Sequence, residues 1–218
     1  MGLTERRLPP TWERDANWVQ MRHKIGLIRT FDKTLQKLTA TLRDHQDALA
    51  IMGLHDDAMV DSLVTQVQEL ERAYRKAEAE LAREFAGFND ENHQRYKSIP
   101  GFSDYTAGLL NVFMSTTATR PKAWVAFAGL DISVKQSGSW VGRSKLSKRG
   151  NAYLRKKLYQ AAWAAKQNDP AFNAYYQRLR EDGHGYVESL LIIARKLLRT
   201  AFTLQRDQKM YDQKAAWA

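Results

Sequence analysis

The stretch KSIPGFSDYTAGLLNVF, Lys97 to Phe113, decides how the rest of the chain is read. A short apolar approach at Ile99 meets Pro100-Gly101-Phe102, a capping pair follows at Ser103-Asp104, and an apolar helical stripe runs from Ala107 to Phe113. Pro100 interrupts a helix and Gly101 admits a positive φ, so the residues describe two helices joined by a tight apolar turn. This is the pattern of a helix-hairpin-helix. In such a unit the N–H groups that open the second helix form an anion site, which holds a nucleic-acid phosphate without reading its sequence. Pro100, Gly101, Phe102 and Ser103 are therefore candidate nucleic-acid contacts. A plain connection between helices uses the same residues and is the competing reading.

Helical signals continue downstream. Arg120-Pro121 starts a helix with proline in its first turn, running through Trp124, Val125 and Phe127 to Gly129. Ile132–Ser147 is too rich in Ser, Gly and Val for a helix and reads as an irregular or hairpin-like segment. Gly150 and Asn151 then precede AYLRKKLYQAAWAAKQN, whose Leu154, Leu158, Ala161, Ala162 and Ala165 form an apolar stripe. Asp169-Pro170 caps a further helix ending at Gly183. The last, from about Tyr186 to Gln205, buries Leu190, Ile193, Leu197 and Leu198 and turns Arg195, Lys196 and Arg199 toward solvent or a partner.

Upstream, the pattern narrows. Met21, Ile25, Ile28, Leu35, Leu38 and Leu42 follow one another at steps of three and four with one double step, and Val60, Leu63, Val67, Leu70, Tyr74, Leu81 and Phe85 do much the same. Such thin stripes near a 3.5-residue period are coiled-coil seams rather than faces of globular helices. MGLHDD (52–57) separates them, with Gly53 as breaker and Asp57 as cap. The expected architecture is all-α: a 1–16 tail, a long antiparallel coiled-coil hairpin over 17–92, and a compact helical domain over 93–218 that carries the helix-hairpin-helix and one basic irregular loop. A helical bundle packed onto the second half is the alternative for residues 17–92.

Charge divides the chain. Residues 1–94 hold 13 basic and 16 acidic side chains, and residues 95–218 hold 21 basic and 8 acidic. Nearly all the excess behind the net charge of +10 sits in the second half, which implies a polyanionic partner for that half. The chain has no cysteine, which excludes disulfides and thiolate metal sites and fits a reducing cytoplasm. MGLTERRLPPTWERD lacks the apolar core of a signal peptide, and no apolar run approaches a membrane span, so a soluble cytoplasmic protein is expected.

The basic excess peaks between Lys135 and Lys157, KQSGSWVGRSKLSKRGNAYLRKK, with eight Lys or Arg and no acid. Gln136-Ser137-Gly138-Ser139 lies inside it. A serine that attacks phosphate needs its proton removed, or its oxyanion stabilised, and cations around the phosphate. Ser137 sits beside Gly138 and is flanked by Lys135, Arg143, Lys145, Lys148 and Arg149. Physics alone makes this a basic phosphate-binding loop, and a catalytic serine stays open as the alternative. Tyr153 is a second conceivable nucleophile, but its apolar helical neighbours mark it as core. The five histidines, His23, His45, His55, His93 and His184, share no ligand spacing, and His55-Asp56-Asp57 reads as a solvated cap. Phosphate-loop and dinucleotide patterns are absent; Gly183-His184-Gly185 is a helix break.

Five pieces in order carry a resemblance: IPGF…TA (99–107), AWVAFAGLD (123–131), QSG (136–138), LSKRGNAYLRKKLYQAAW (146–163) and ARKLLR (194–199). From Ser98 to Arg199 the chain resembles the C-terminal domain of the Piv-like insertion-sequence transposases. Members of that family join a RuvC-like domain, bearing an Asp-Glu-Asp-Asp set, to this domain through a coiled coil. Several choose their DNA with a structured bridge RNA. The resemblance implies a DNA transposase or recombinase with Ser137 as the nucleophile and Ser139 as the alternative. It also implies that Lys148, Arg149, Asn151 and Arg155 hold the exchanged strand, by charge and amide hydrogen bonding. DNA is the implied partner, with a guide RNA in some members, and a homo-oligomer forms through the coiled coil. No cofactor is expected in this chain: Mg²⁺ goes with the acidic domain, of which no Asp-Glu-Asp-Asp set is seen before the coiled coil. On that ground the chain is expected to be a truncated, decayed or split enzyme. The rival function is a non-catalytic helix-hairpin-helix remnant or regulator that only binds nucleic acid; a purely structural coiled-coil adaptor is disfavoured by the basic half.

Overall fold

The computed structural model describes residues 16–54, 57–87, 91–114, 120–133, 136–137, 140–141 and 145–217. It is all-α: among these residues the extended segments are four two-residue strands. The chain divides into two compact units, one reaching Ala77 and one starting at Glu78.

The first unit consists of α1 (Ala16–Ile51) and the opening of α2 (Ala58–Gly87). Past the end of α1, the Leu54 N–H donates back to the Leu49 carbonyl. Asp57 caps α2 as predicted, accepting from the N–H groups of Met59 (3.0 Å) and Val60 (3.2 Å); His55 and Asp56 lie outside the described residues. Met21, Ile25, Ile28 and Leu35 of the α1 stripe are buried, and so is Asp32, whose carboxylate accepts from the Gln36 amide. Val60 opens the α2 stripe buried as well, but other members of the pattern stay open. Leu38, Leu63 and Leu70 are about 40% exposed, and Ile51, Met52, Leu54 and Met59 at the connection are more exposed still.

The second unit holds the end of α2 and then α3 (Glu91–Lys97), α4 (Asp104–Met114), α5 (Pro121–Phe127), α6 (Ala152–Asn168), α7 (Pro170–Glu181), α8 (Tyr186–Asp207) and α9 (Gln213–Trp217). Helix α8 is its centre and packs against α3, α5, α6 and α7. Leu190, Ile193, Ala194, Leu197, Leu198 and Ala201 are fully enclosed, as the predicted stripe requires. Each large aliphatic side chain there contributes about 1.5–3 kcal/mol by leaving water. The α6 stripe is buried in full, and its alanines keep that face thin enough for close neighbours. Asn151 and Asp169 cap α6 and α7 with their side-chain oxygens, and proline occupies the first turn of α5 and α7. Trp124 is sandwiched edge-on between Tyr96 (6.4 Å between ring centres) and Phe202 (5.3 Å).

The Ile99–Phe102 turn joins α3 to α4 as expected, but its inner side is closed. Gly101 has φ +83°, and a Cβ on it would run into the Ala161 carbonyl and stand 2.6 Å from the Ala165 nitrogen. The turn therefore rests on the α6 backbone, with Ile99 and Phe102 buried beside it. Gly101→Ala should lower the stability of the chain by about 2–3 kcal/mol, from the strained φ and the collision together. Its urea midpoint, compared with that of Pro100→Ala, checks this; the proline change should be much milder.

Candidate nucleic-acid interface

Between α5 and α6 the chain leaves the helical core as an arm. Its outer rungs pair β1 (Ile132–Ser133) antiparallel with β4 (Lys145–Leu146), Ile132 opposite Leu146 and Ser133 opposite Lys145. Its inner rungs pair β2 (Gln136–Ser137) with β3 (Trp140–Val141), Gln136 opposite Val141 and Ser137 opposite Trp140. The segment expected to be irregular or hairpin-like is thus a nested hairpin, with Ser137 on the inner rung beside the 138–139 connection.

The root of the arm is closely fixed. Gly129 ends α5 with φ +65°, and a Cβ there would run into the Arg155 guanidinium and come within 2.8 Å of the Gly150 nitrogen. A Cβ on Gly150 would in turn meet the Phe127 carbonyl. Two glycines therefore cross where a side chain on either would hold the strands apart. The carbonyls at the end of α5 find partners here: Asn151 N–H donates to Phe127 (2.6 Å), Arg155 Nη1 to Ala128 (3.0 Å) and Arg195 Nε to Leu130 (3.0 Å). Cations at a helix C-terminus meet both its unpaired carbonyls and the negative end of its dipole. On the return strand Ser147 closes the root, its N–H donating to the Asp131 carbonyl and its hydroxyl to the Asp131 carboxylate.

These contacts sort the predicted binding residues. Lys148 and Arg149 are exposed at the foot of the arm, and Lys148 holds a left-handed backbone (φ 55°) that turns the chain toward Gly150. Asn151 is committed through its side-chain oxygen, which accepts from Tyr153 and Leu154 N–H at 3.1 Å each as the cap of α6. Arg155 is engaged with α5. Lys145 is described by its place in β4 and Ser137 by its place in β2; Lys135, Ser139 and Arg143 lie outside the described residues. Of the turn residues, Gly101 rests on α6, Phe102 is buried, Pro100 is half-buried and Ser103 is exposed.

Two further cations of the second half do structural work that spacing conceals. Lys157 is buried. Its ammonium donates to Glu78 at 2.6 Å and lies over the rings of Tyr105 (5.0 Å) and Tyr153 (5.6 Å), whose hydroxyls share a hydrogen bond of 2.7 Å. Tyr153 is core, as read. Arg195, which the sequence turned toward solvent, is a clamp on the arm's root. The signal that could have found it is its place on α8, one residue after the buried Ala194 and two before the buried Leu197.

The start of α4 already holds its own charges. Ser103 Oγ accepts from the Thr106 N–H (3.2 Å), and Asp104 in the first turn pairs with Lys97 (2.8 Å) and His93 (3.2 Å). Hydrogen bonding from Lys97, followed by that from His93, holds the Asp104 carboxyl below its ordinary range. A phosphate arriving here would meet that carboxylate. Among the described residues no three His, Cys, Asp or Glu side chains are grouped to hold a metal ion, and the described side chains at the arm's foot, Lys148 and Arg149, are cationic. No helix of the described residues is long and apolar enough to cross a membrane.

Residues 93–177 match the family model described as "Transposase IS116/IS110/IS902 family", a span that runs from α3 through the arm into α7. The chain is similar to the uncharacterized 43.6 kDa protein of insertion element IS110 from Streptomyces coelicolor, 31% identical over 117 residues. It is also similar to the uncharacterized 42 kDa protein of insertion element IS900 from Mycobacterium paratuberculosis, 30% identical over 84 residues. The matches cover 53% and 38% of this chain but only 29% and 21% of those relatives. The α3–α7 segment is thus similar to part of the insertion-element proteins, and the chain spans less than a third of their length.

Two measurements probe the site's framework. Asn151→Ala should cost about 1 kcal/mol of stability by removing the α6 cap, and Asn151→Asp should restore most of it. Asp104 has a depressed folded-state pKa, so its stabilisation is present above the ordinary carboxylate range and is lost as pH falls through the folded value. Wild type and Asp104→Asn should accordingly differ in thermal midpoint at neutral pH and converge in acid.

Proposed function

We propose that this chain is the DNA-handling part of an insertion-element transposase, with the arm as its active segment and Ser137 as the nucleophile. The observation that carries the reading is a serine-bearing hairpin inside the segment matched to a transposase family, rooted rigidly in the core and flanked at its foot by exposed Lys148 and Arg149. DNA enters through its backbone, the chemistry that a cationic, carboxylate-poor surface recognises. Ser137 Oγ attacks a backbone phosphorus. A serine–phosphate bond forms, one bridging P–O bond breaks, and the released strand oxygen takes a proton and leaves as a hydroxyl. The covalent intermediate keeps the energy of the broken phosphodiester for rejoining to a second strand. Lys148 and Arg149 offset the charge that builds on the phosphate oxygens. Mg²⁺ chemistry is assigned to an acidic domain and not to these residues. The half-open stripe at Leu38, Leu63 and Leu70 supports a homo-oligomer joined through the long helices, since a second copy would cover it.

A nicked half-site that loses its downstream fragment on cleavage should trap a covalent adduct, supplied with whatever acidic domain the reaction requires. Ser137→Ala should abolish the adduct while Ser139→Ala keeps it; the reverse outcome moves the nucleophile to Ser139. Lys148→Ala with Arg149→Ala should weaken duplex binding about tenfold and reduce its salt slope by nearly two. Duplex binding that survives Ser137→Ala, with no adduct from wild type under any condition, would favour a non-catalytic binding protein.

A further inference from the structure

The arm leaves one basic surface of the second unit unused. Ile192, the adjacent Arg195 and Lys196, Arg199 and Thr203 follow one another about a turn apart along α8 and so share one side of it. They line an open groove of about 710 Å³, bounded on its other sides by Tyr175 of α7 and by the Lys209–Asp212 segment that leads away from α8. Most of it lies beyond the matched segment, which ends at residue 177.

The charges in this groove are arranged for an anion. Arg195 and Lys196 are half-buried. Loss of water pulls both below their ordinary pKa, and a like charge adds to it in each case, Arg199 beside Arg195 and Arg178 beside Lys196; Asp131 offsets part of the effect on Arg195. The two carboxylates lining the groove are engaged elsewhere. Asp207 takes two hydrogen bonds from Arg206, at 2.6 and 3.0 Å, and Asp212 accepts from the Lys214 N–H. Aromatic rings back the cations: Lys196 Nζ lies 4.1 Å from the Trp217 ring centre, the Arg178 guanidinium lies 5.2 Å from that of Tyr175, and those two rings meet edge-on at 5.3 Å. Cations beside aromatic rings along an open groove are what a nucleic-acid strand binds, its phosphates on the charges and its bases against a lining ring such as Tyr175.

We propose that the α8 groove binds a single nucleic-acid strand, with Arg195, Lys196 and Arg199 on its phosphates and Tyr175 beside its bases. The inference rests on the nucleic-acid reading of the basic half and adds a second contact surface to it. A groove of this volume takes the backbone of one strand but cannot enclose a duplex. It also begins at the arm: the Arg195 that lines it is the Arg195 that clamps the Leu130 carbonyl at the arm's root. A strand lying along α8 is therefore delivered to the foot of the serine-bearing hairpin. Ordered this way, the groove holds a strand already parted from its complement, while Lys148 and Arg149 hold the duplex.

Fluorescence anisotropy of the full chain tests this with labelled oligo-dT, oligo-rU and a duplex of equal length. Arg199→Gln and Thr203→Glu are suited to it, because both positions are exposed and neither touches the arm's root. Each should weaken single-strand binding by about 5–10-fold and leave duplex binding within about twofold. Arg199→Gln should also reduce the single-strand salt slope by about 0.7. A loss confined to oligo-dT or to oligo-rU supports the groove and names the strand as DNA or RNA; loss for both assigns the shared backbone. Single-strand affinity unchanged in both variants, or an equal fall for the duplex, overturns the proposal. Wild type that binds duplex but neither single strand overturns the groove alone, and wild type that binds nothing overturns the underlying reading with it. Unchanged melting curves for both variants show that the losses are not unfolding.

Discussion

The carbonyl groups at the end of α5 set the terms for everything around them. A buried peptide oxygen must be paired, and at Phe127, Ala128 and Leu130 the partners come from other segments: the backbone of Asn151, the guanidinium of Arg155 and that of Arg195. The three donors belong to the entry of α6, its first turn and the middle of α8. One helix end thereby fixes the start of the next helix and the central helix of the unit relative to each other. The Gly129–Gly150 crossing lets the segments come close enough for this, since a methyl group on either glycine would separate them. The arm leaves from this joint, so its root inherits the rigidity of the core.

That joint also explains how a basic run is divided. Eight cations between Lys135 and Lys157 look equivalent as a sequence. In the fold, Arg155 is consumed by α5, Lys157 is enclosed between two tyrosines with Glu78 as its partner, and Lys148 and Arg149 remain on the surface. A buried ammonium is tolerated only with a counter-charge and ring faces about it, and losing its partner would leave an uncompensated charge in the core. Charge used for cohesion and charge left on the surface thus alternate along a few residues. The α8 groove repeats the division: Arg195 holds the Leu130 carbonyl and also lines the groove, while Arg199 faces outward.

Much of the helical plan was legible, because it depends on local chemistry. Asp57, Asn151 and Asp169 cap helices where their short side chains precede apolar stripes, Pro121 and Pro170 open helices, and Leu190, Ile193, Leu197 and Leu198 are buried as their spacing required. The site was legible only in part. Ser103 and Gly101 announced a turn with free amides, but the turn's packing on Ala161 and Ala165 joins residues some sixty positions apart, and no local pattern reports it. The resemblance alone makes Asn151 a strand contact; its place before an apolar stripe also makes it the cap of α6, and its side-chain oxygen serves that helix. Periodicity turns Arg195 toward solvent or a partner, because it assigns a face and not a neighbour.

By itself the sequence determined the all-α class, the positions of the helix ends, the interruption between α5 and α6 and the concentration of positive charge in the second half. Those follow from rotamer freedom, capping and periodicity, which act over a few residues. The tertiary structure decided which cations remain available, that the arm is a nested hairpin with Ser137 on its inner rung, and that α8 and the segment beyond it enclose a basic groove. Each of these turns on contacts between distant parts of the chain, where desolvation and backbone pairing choose one partner among several chemically equal residues.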